Sequence, residues 1–157
     1  MRLLYTKPRL NDLSQGARIA FARQFRTMSQ DEVSDILGLT GECKRRTMTR
    51  YEKGDRNPKL KRLEEISSIL KVNINSLKEY DFNDSIDVVY IFMWLEELIS
   101  NYVIDVSKVP RVDEYYIDVV KKSLEEWTDM RIKRLKKEIS YEDYIEWKLN
   151  YEIKEEL

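Results

Sequence analysis

Nine of the residues between Lys44 and Arg62 are lysine or arginine, at positions 44, 45, 46, 50, 53, 56, 59, 61 and 62, and only Glu52 and Asp55 oppose them. Cations at that density attract phosphate and release its condensed counterions, which gives an affinity that falls steeply with salt. Arginine also pairs through two parallel hydrogen bonds with guanine O6 and N7, and threonine can meet a thymine methyl or a base edge. On a helix, Thr49 stands about one turn from Arg45 and Arg46, so all three can share one outward face. The competing reading is a basic helix that is merely solvated, because such helices also meet membranes and acidic proteins.

Other chemistry is constrained by what the chain lacks. It has no histidine and a single cysteine, Cys43. A His/Cys zinc site is thereby excluded, as are Ser-His-Asp and Cys-His catalysis. No disulfide can form within the chain, which fits a reducing cytosol and a cytoplasmic location. The longest apolar run, Val88 to Leu95, falls well short of the ~20 residues that span a bilayer. The start, Met-Arg-Leu-Leu-Tyr-Thr-Lys-Pro-Arg, has no apolar stretch of the secretory kind, so no membrane association is expected. Adjacent carboxylates at Glu96–Glu97, Glu125–Glu126 and Glu142–Asp143 could hold magnesium or act as acid and base. Such pairs are commoner as solvated helix faces. The expectation is no enzyme, no metal, no cofactor and no small-molecule ligand.

Charge is unevenly distributed. Residues 1–62 carry 15 Lys+Arg against 7 Asp+Glu, a net of +8, and residues 63–157 carry 13 against 22, a net of −9. A basic binding face joined to an acidic module would give this split. Uneven solvated surface charge is the plainer alternative.

The basic stretch needs elements to hold it. Residues 1–12 read as a basic arm broken by Pro8 and Asn11-Asp12, suited to a DNA backbone or minor groove or else to loose terminal packing. Apolar spacing over Leu13 to Arg26 predicts a helix capped by Ser14 or Asp12. Ser29 with Glu32 forms a capping box, and Met28 with Val33 a hydrophobic staple, so a second helix opens there. It should bury Val33, Ile36 and Leu37 and stop at Gly38. The third helix covers Arg45 to Lys53, with Met48 and Tyr51 inward, and ends at Gly54 before Pro58. A fourth, from about Lys59 to Leu70, should bury Leu60, Leu63, Ile66, Ile69 and Leu70. A short fifth runs from Ile74 to near Tyr80.

The polar cluster Asp81-Phe82-Asn83-Asp84 predicts a boundary, dividing the chain into 1–82 and 83–157. Beyond it lie all three tryptophans and no glycine. Three further helices are predicted: Ser85 to about Asn101, about Val112 to Lys137, and one capped by Ser140 with Asp143. The first is apolar all round in its centre, which marks burial on several sides, and a buried strand is the competing assignment.

The ordered set of motifs in the first part resembles the Cro/phage-repressor helix-turn-helix family, often called XRE. It comprises Arg23, Met28-Ser29-Gln30-Asp31-Glu32, Gly38-Leu39, Thr47-Met48-Thr49-Arg50-Tyr51-Glu52-Lys53-Gly54, Asn57-Pro58, and Leu70-Lys71-Val72 with Leu77. The resemblance runs from about Ile19 to Leu77. It implies an all-α protein with a five-helix, lambda-repressor-like DNA-binding domain, followed here by a helical C-terminal domain. It implies that Lys44, Arg45, Arg46 and Thr49 read bases. Gln30, Arg50, Lys53, Arg56, Asn57 and Lys59 would hold the DNA backbone, with Gln30 also bracing the base-reading side chains. Arg23 and Glu52 look like the family's buried ion pair. The sequence departs from the family at Gly41-Glu42-Cys43-Lys44, which looks like a four-residue insertion. If helical, with Thr40 as N-cap, it lengthens the third helix by roughly one turn, ~6 Å. If not, the turn is simply longer. Cys43 lies within it, either as a small half-buried residue or as a thiol open to oxidation.

The second part carries no comparable motif. Helix-turn-helix repressors generally bind as dimers on two half-sites. A helical dimerisation module is therefore expected, with Val89, Phe92, Met93, Trp94 and Trp127 at its interface. The function implied is a sequence-specific transcriptional regulator of bacterial or phage type, a repressor binding a palindromic double-stranded operator as a homodimer. The nearest alternative is an antitoxin whose C-terminal part clasps a toxin.

Overall fold

The computed structural model describes residues 7–41, 43–99 and 114–154, with side chains from 118 onward in the last stretch. Among them every regular element is helical. The chain divides into two compact units, 1–79 and 80–157. The expected boundary fell a little later. Tyr80 belongs with the second unit because its ring stacks on Tyr90 at 5.7 Å and its hydroxyl accepts from Trp94 Nε1 at 3.2 Å.

The first unit holds α1 (Gln15–Phe25), α2 (Gln30–Ile36), α3 (Lys44–Lys53), α4 (Leu60–Leu70) and a 3₁₀ turn (Ile74–Ser76). Ser14 caps α1 by accepting from Ala17 N. Ser29 and Glu32 cap α2 reciprocally, Ser29 N donating to Glu32 Oε2 at 2.6 Å and Glu32 N to Ser29 Oγ at 3.1 Å. These bonds, the backbone one foremost, hold the Glu32 carboxyl below its ordinary range. Gly38, at φ 71, closes α2, with Leu39 N donating back to Ser34 O. Ile19, Phe21, Ala22, Val33, Met48, Ile66, Leu70 and Leu77 make the core.

Three expectations for this unit are corrected. Ile36 and Leu60 were placed in the core, yet they are 61% and 66% exposed. In so short a helix as α2, Val33 and Leu37 take the inward face and Ile36 is rotated out. Leu60 is the first residue of α4, and its side chain leans back beyond the helix end. The fifth helix is only the 3₁₀ turn, because Arg18 takes the carbonyls of Ser76 and Lys78 at 2.6 and 2.7 Å. Of the N-terminal arm, residues 1–6 lie outside the described residues. Pro8 and Leu10 are buried, so this stretch is packed chain and not a free tail.

The second unit holds α5 (Ser85–Leu98), α6 (Glu114–Leu135) and α7 (Tyr141–Asn150). The apolar run at 88–95 is helix, capped by Asp84, whose side chain accepts from Ile86 N. The expected helix ends at Asn101 and Val112 lie outside the described residues. Ser140 and Asp143 form the capping box of α7. The unit is built around Val89, Met93, Trp94, Trp127, Tyr144, Ile145 and Leu149.

A charged cluster sits within that core. Lys148, 1% exposed, donates from Nζ to Met93 O at 3.0 Å, Glu96 Oε2 at 3.1 Å and Glu97 Oε1 at 2.9 Å. Arg131 Nε meets Glu96 Oε1 at 2.7 Å, and the Tyr144 hydroxyl donates to Glu96 Oε2 at 2.5 Å. Glu96 and Glu97 are thus not the solvated pair that helix statistics suggested. Two anions face two cations, so the desolvation of each charge is offset by a partner.

Candidate nucleic-acid interface

The basic helix α3 presents opposite faces to the core and to solvent. Met48 and Tyr51 are buried, while Arg45, Arg46, Arg50 and Lys53 are exposed and Thr49 is half-buried. The cations are therefore outside because the apolar pair, three residues apart, turns the other face inward.

The position of α3 is fixed at its last turn. Gly16, near the start of α1, touches its last turn. A Cβ on Gly16 would stand 2.3 Å from Tyr51 O and 2.6 Å from Glu52 O, so only glycine allows this approach. Beside it, Arg23 of α1 grips Glu52 of α3 with Nε at 2.5 Å from Oε1 and Nη2 at 3.0 Å from Oε2. Its remaining nitrogen, Nη1, donates to Met28 O at 2.7 Å, just before α2. Both side chains are nearly buried, at 12% and 8% exposure.

The same carboxylate reaches α2. Gln30 Nε2 donates to Glu52 Oε2 at 2.7 Å, and Gln30 Oε1 lies 3.0 Å from the hydroxyl of Thr49. The Thr49 hydroxyl is also 3.0 Å from Arg45 O. One connected chain, Arg23–Glu52–Gln30–Thr49, therefore runs from the interior to the outward face. Arg45 lines a shallow recess with Ser29, Gln30 and Asp31 beside it.

The insertion does not lengthen α3. Lys44 is its first residue, Cys43 stands at the N-cap without a side-chain bond, and Gly41 sits at φ 83 in the preceding turn. The extra residues make a longer turn. Glu42 lies outside the described residues. Cys43 is exposed, not half-buried.

Residues 19–77 match the model of the family described as Helix-turn-helix. This segment is a Cro/repressor-type helix-turn-helix domain. α2 and α3 are its two defining helices, and the domain is a DNA-binding module of transcription regulators, not one of an enzyme family. No curated protein and no solved structure matches the chain. Among the described residues no helix is long and apolar enough to cross a membrane, and no group of His, Cys, Asp and Glu could hold a metal ion.

Within the helix-turn-helix domain the expected contact residues are not equivalent. Lys44 Nζ is bound to Asp35 Oδ1 at 2.6 Å, and this bond holds its ammonium above the ordinary lysine range. It must break that pair to reach a base. Asn57 donates from Nδ2 to Glu79 Oε1 at 2.5 Å, so its amide is engaged before any phosphate arrives. Arg56 and Lys59 are exposed. Two structural arginines were missed by sequence reasoning. Arg18 is 1% exposed and holds the 3₁₀ turn, and Arg26 donates to Leu70 O and Lys71 O at 2.6 and 2.8 Å, closing α4. Their spacing along α1 with Arg23 was visible, but their carbonyl partners lie over forty residues away. In the second unit, Val89, Met93, Trp94 and Trp127 are each 1% exposed within the single chain. They belong to its core, and of the five expected interface residues only Phe92 is partly open.

Proposed function

We propose that the protein is a cytoplasmic transcriptional repressor that binds a palindromic operator as a homodimer. One observation supports this above others: Thr49 is held on the outward face of α3 by the chain from Arg23 through Glu52 and Gln30, with Arg45 and Arg46 exposed beside it. Two exposed arginines at the start of a fixed helix suit guanine edges in the major groove, and Thr49 suits a thymine methyl. Arg50, Lys53, Arg56 and Lys59 suit phosphates on either side, where they set register and affinity but not sequence. Repression then follows from occupying a promoter, with binding energy as the whole of the mechanism.

Selection of bound duplexes from a random pool tests this reading. It should return two inverted half-sites whose centres are about one helical turn, ~34 Å, apart. Recovery of a single half-site, or of no shared sequence, would overturn it.

A further inference from the structure

Four of the five apolar residues expected to join two copies are buried inside the second unit of one. Two exposed features on that unit are complementary. Phe82 is 74% exposed just before α5 and stands between the exposed acids Asp81 and Asp84. At the end of α6, Leu135 is 79% and Ile132 40% exposed, three residues apart and therefore on one face. Lys133 and Lys136 flank them, both exposed.

These features sit at opposite ends of the unit. Tyr90 of α5 accepts from Ile153 N at 3.1 Å, and the neighbouring Tyr151 donates to Glu126 Oε2 of α6 at 2.8 Å. Further along both helices, Glu96 meets Arg131. α5 and α6 thus run in the same direction, with Phe82 before the start of α5 and Leu135 at the finish of α6. α5 has 14 residues. At 1.5 Å per residue the two features are about 20 Å apart, and one unit cannot close them on each other.

We propose that Phe82 of one chain docks on Ile132 and Leu135 of a second copy, and that the contact occurs twice across a twofold axis. The proposal rests on the homodimer reading above and names its interface. An antiparallel pair brings each aromatic knob to the other copy's apolar patch, with Asp81 and Asp84 facing Lys133 and Lys136. Such an interface is isologous and closes on itself, so assembly stops at two. Charge complementarity favours a second copy over a nucleic acid or an anionic surface, because the chain itself carries both the anionic knob and the cationic patch. The aromatic and leucine at the centre supply the buried apolar area, and the charges set register.

Sedimentation velocity on the full chain tests this, with wild type, Phe82→Ser, Leu135→Glu, Lys136→Asp, and Lys136→Asp combined with Asp81→Lys. All changed positions are exposed, and helicity and melting should match wild type except for a small loss in the variant with Asp81→Lys, because the Asp81 carboxylate accepts from Asn83 N at 2.8 Å. Wild type should be a dimer. The Phe82 and Leu135 variants should each raise its dissociation constant about tenfold or more. Lys136→Asp should weaken it, and adding Asp81→Lys should restore it. A wild-type dimer unaffected by both apolar variants would overturn the proposed interface alone. So would open-ended polymers, or a Leu135→Glu variant that keeps the dimer but loses DNA affinity, which would assign the patch to nucleic acid. A wild type that stays monomeric both free and on its operator would overturn the homodimer reading itself.

Discussion

Gln30 and Glu52 are joined at 2.7 Å, and that bond connects the interior of the helix-turn-helix domain to the outward face of α3. Glu52 is already held by both forks of Arg23, so its carboxylate orients Gln30, and Gln30 in turn orients Thr49. The two members of the network separate stability from recognition. Glu52→Ala leaves the Arg23 guanidinium nearly buried without its anion and should destabilise the domain by about 3–5 kcal/mol in urea unfolding. Gln30→Ala leaves that pair intact. It should change the unfolding midpoint little but relax base preference at the position read by Thr49, measured by competition between single-base operator variants. Equal loss of stability in both variants would contradict this division.

Base-reading and phosphate-holding cations should behave differently. Arg46→Ala should cost about 1–3 kcal/mol on the preferred operator and relax preference at one base pair. Lys59→Ala should weaken every sequence alike and reduce the slope of log K against log salt by about one unit. Fluorescence anisotropy over a salt series on matched and mismatched duplexes reads both.

Gly16 should tolerate no side chain. Its missing Cβ faces backbone oxygens of Tyr51 and Glu52, not a flexible side chain, so alanine must push α1 and α3 apart. Gly16→Ala should destabilise the domain by at least about 1–3 kcal/mol and weaken operator binding through the misplaced α3. Thermal melting with and without duplex checks it. A neutral alanine would mean that α3 is not fixed by this contact.

The second unit should show opposite titrations on one hydrogen bond. Burial raises the Glu96 carboxyl, but the Lys148 charge, the bonds from Tyr144 and Lys148, and the Arg131 charge outweigh it, leaving a net lowering from 4.5. Its contribution to stability is therefore present above that ordinary value and lost as pH falls through the lower folded one. Burial foremost, and then the Glu96 charge, raise the Tyr144 hydroxyl well above 10. Its contribution is present below that pH and lost as pH rises. Urea unfolding of Tyr144→Phe and wild type from pH 3 to 11 should show the alkaline loss flattened in the variant. Lys148→Ala takes the cation from Glu97 and leaves Glu96 with Arg131 and Tyr144, and it should cost about 3–5 kcal/mol at neutral pH.

The outward face of α3 was legible because its pattern is local. Met48 and Tyr51 recur at helical spacing, capping residues mark α2, and Gly54 ends α3. The second unit's caps at Ser140 and Asp143 were readable for the same reason. What the sequence concealed depends on partners distant in the chain. Nothing near Glu96 or Lys148 indicates that they meet in a core, since each alone is an ordinary surface residue of a helix. Arg18 looks like any charge on α1 until the carbonyls of Ser76 and Lys78 reach it. Ile36 and Leu60 misled for the opposite reason. Apolar periodicity names a face but not where the helix begins, and a shift of one or two residues turns a side chain out.

The account depends most on sequence-dependent, salt-sensitive binding by the exposed face of α3. Titrating the full chain onto a selected operator and onto a scrambled duplex, from low to moderate salt, tests this most directly. The account predicts tight binding to the operator, weaker binding to the scrambled duplex, and a linear fall in log K with log salt for both. It also predicts a smaller difference between the two in Arg46→Ala, by the amount that one base contact contributes. Equal affinity for both duplexes, or no binding to either at low ionic strength, would contradict it.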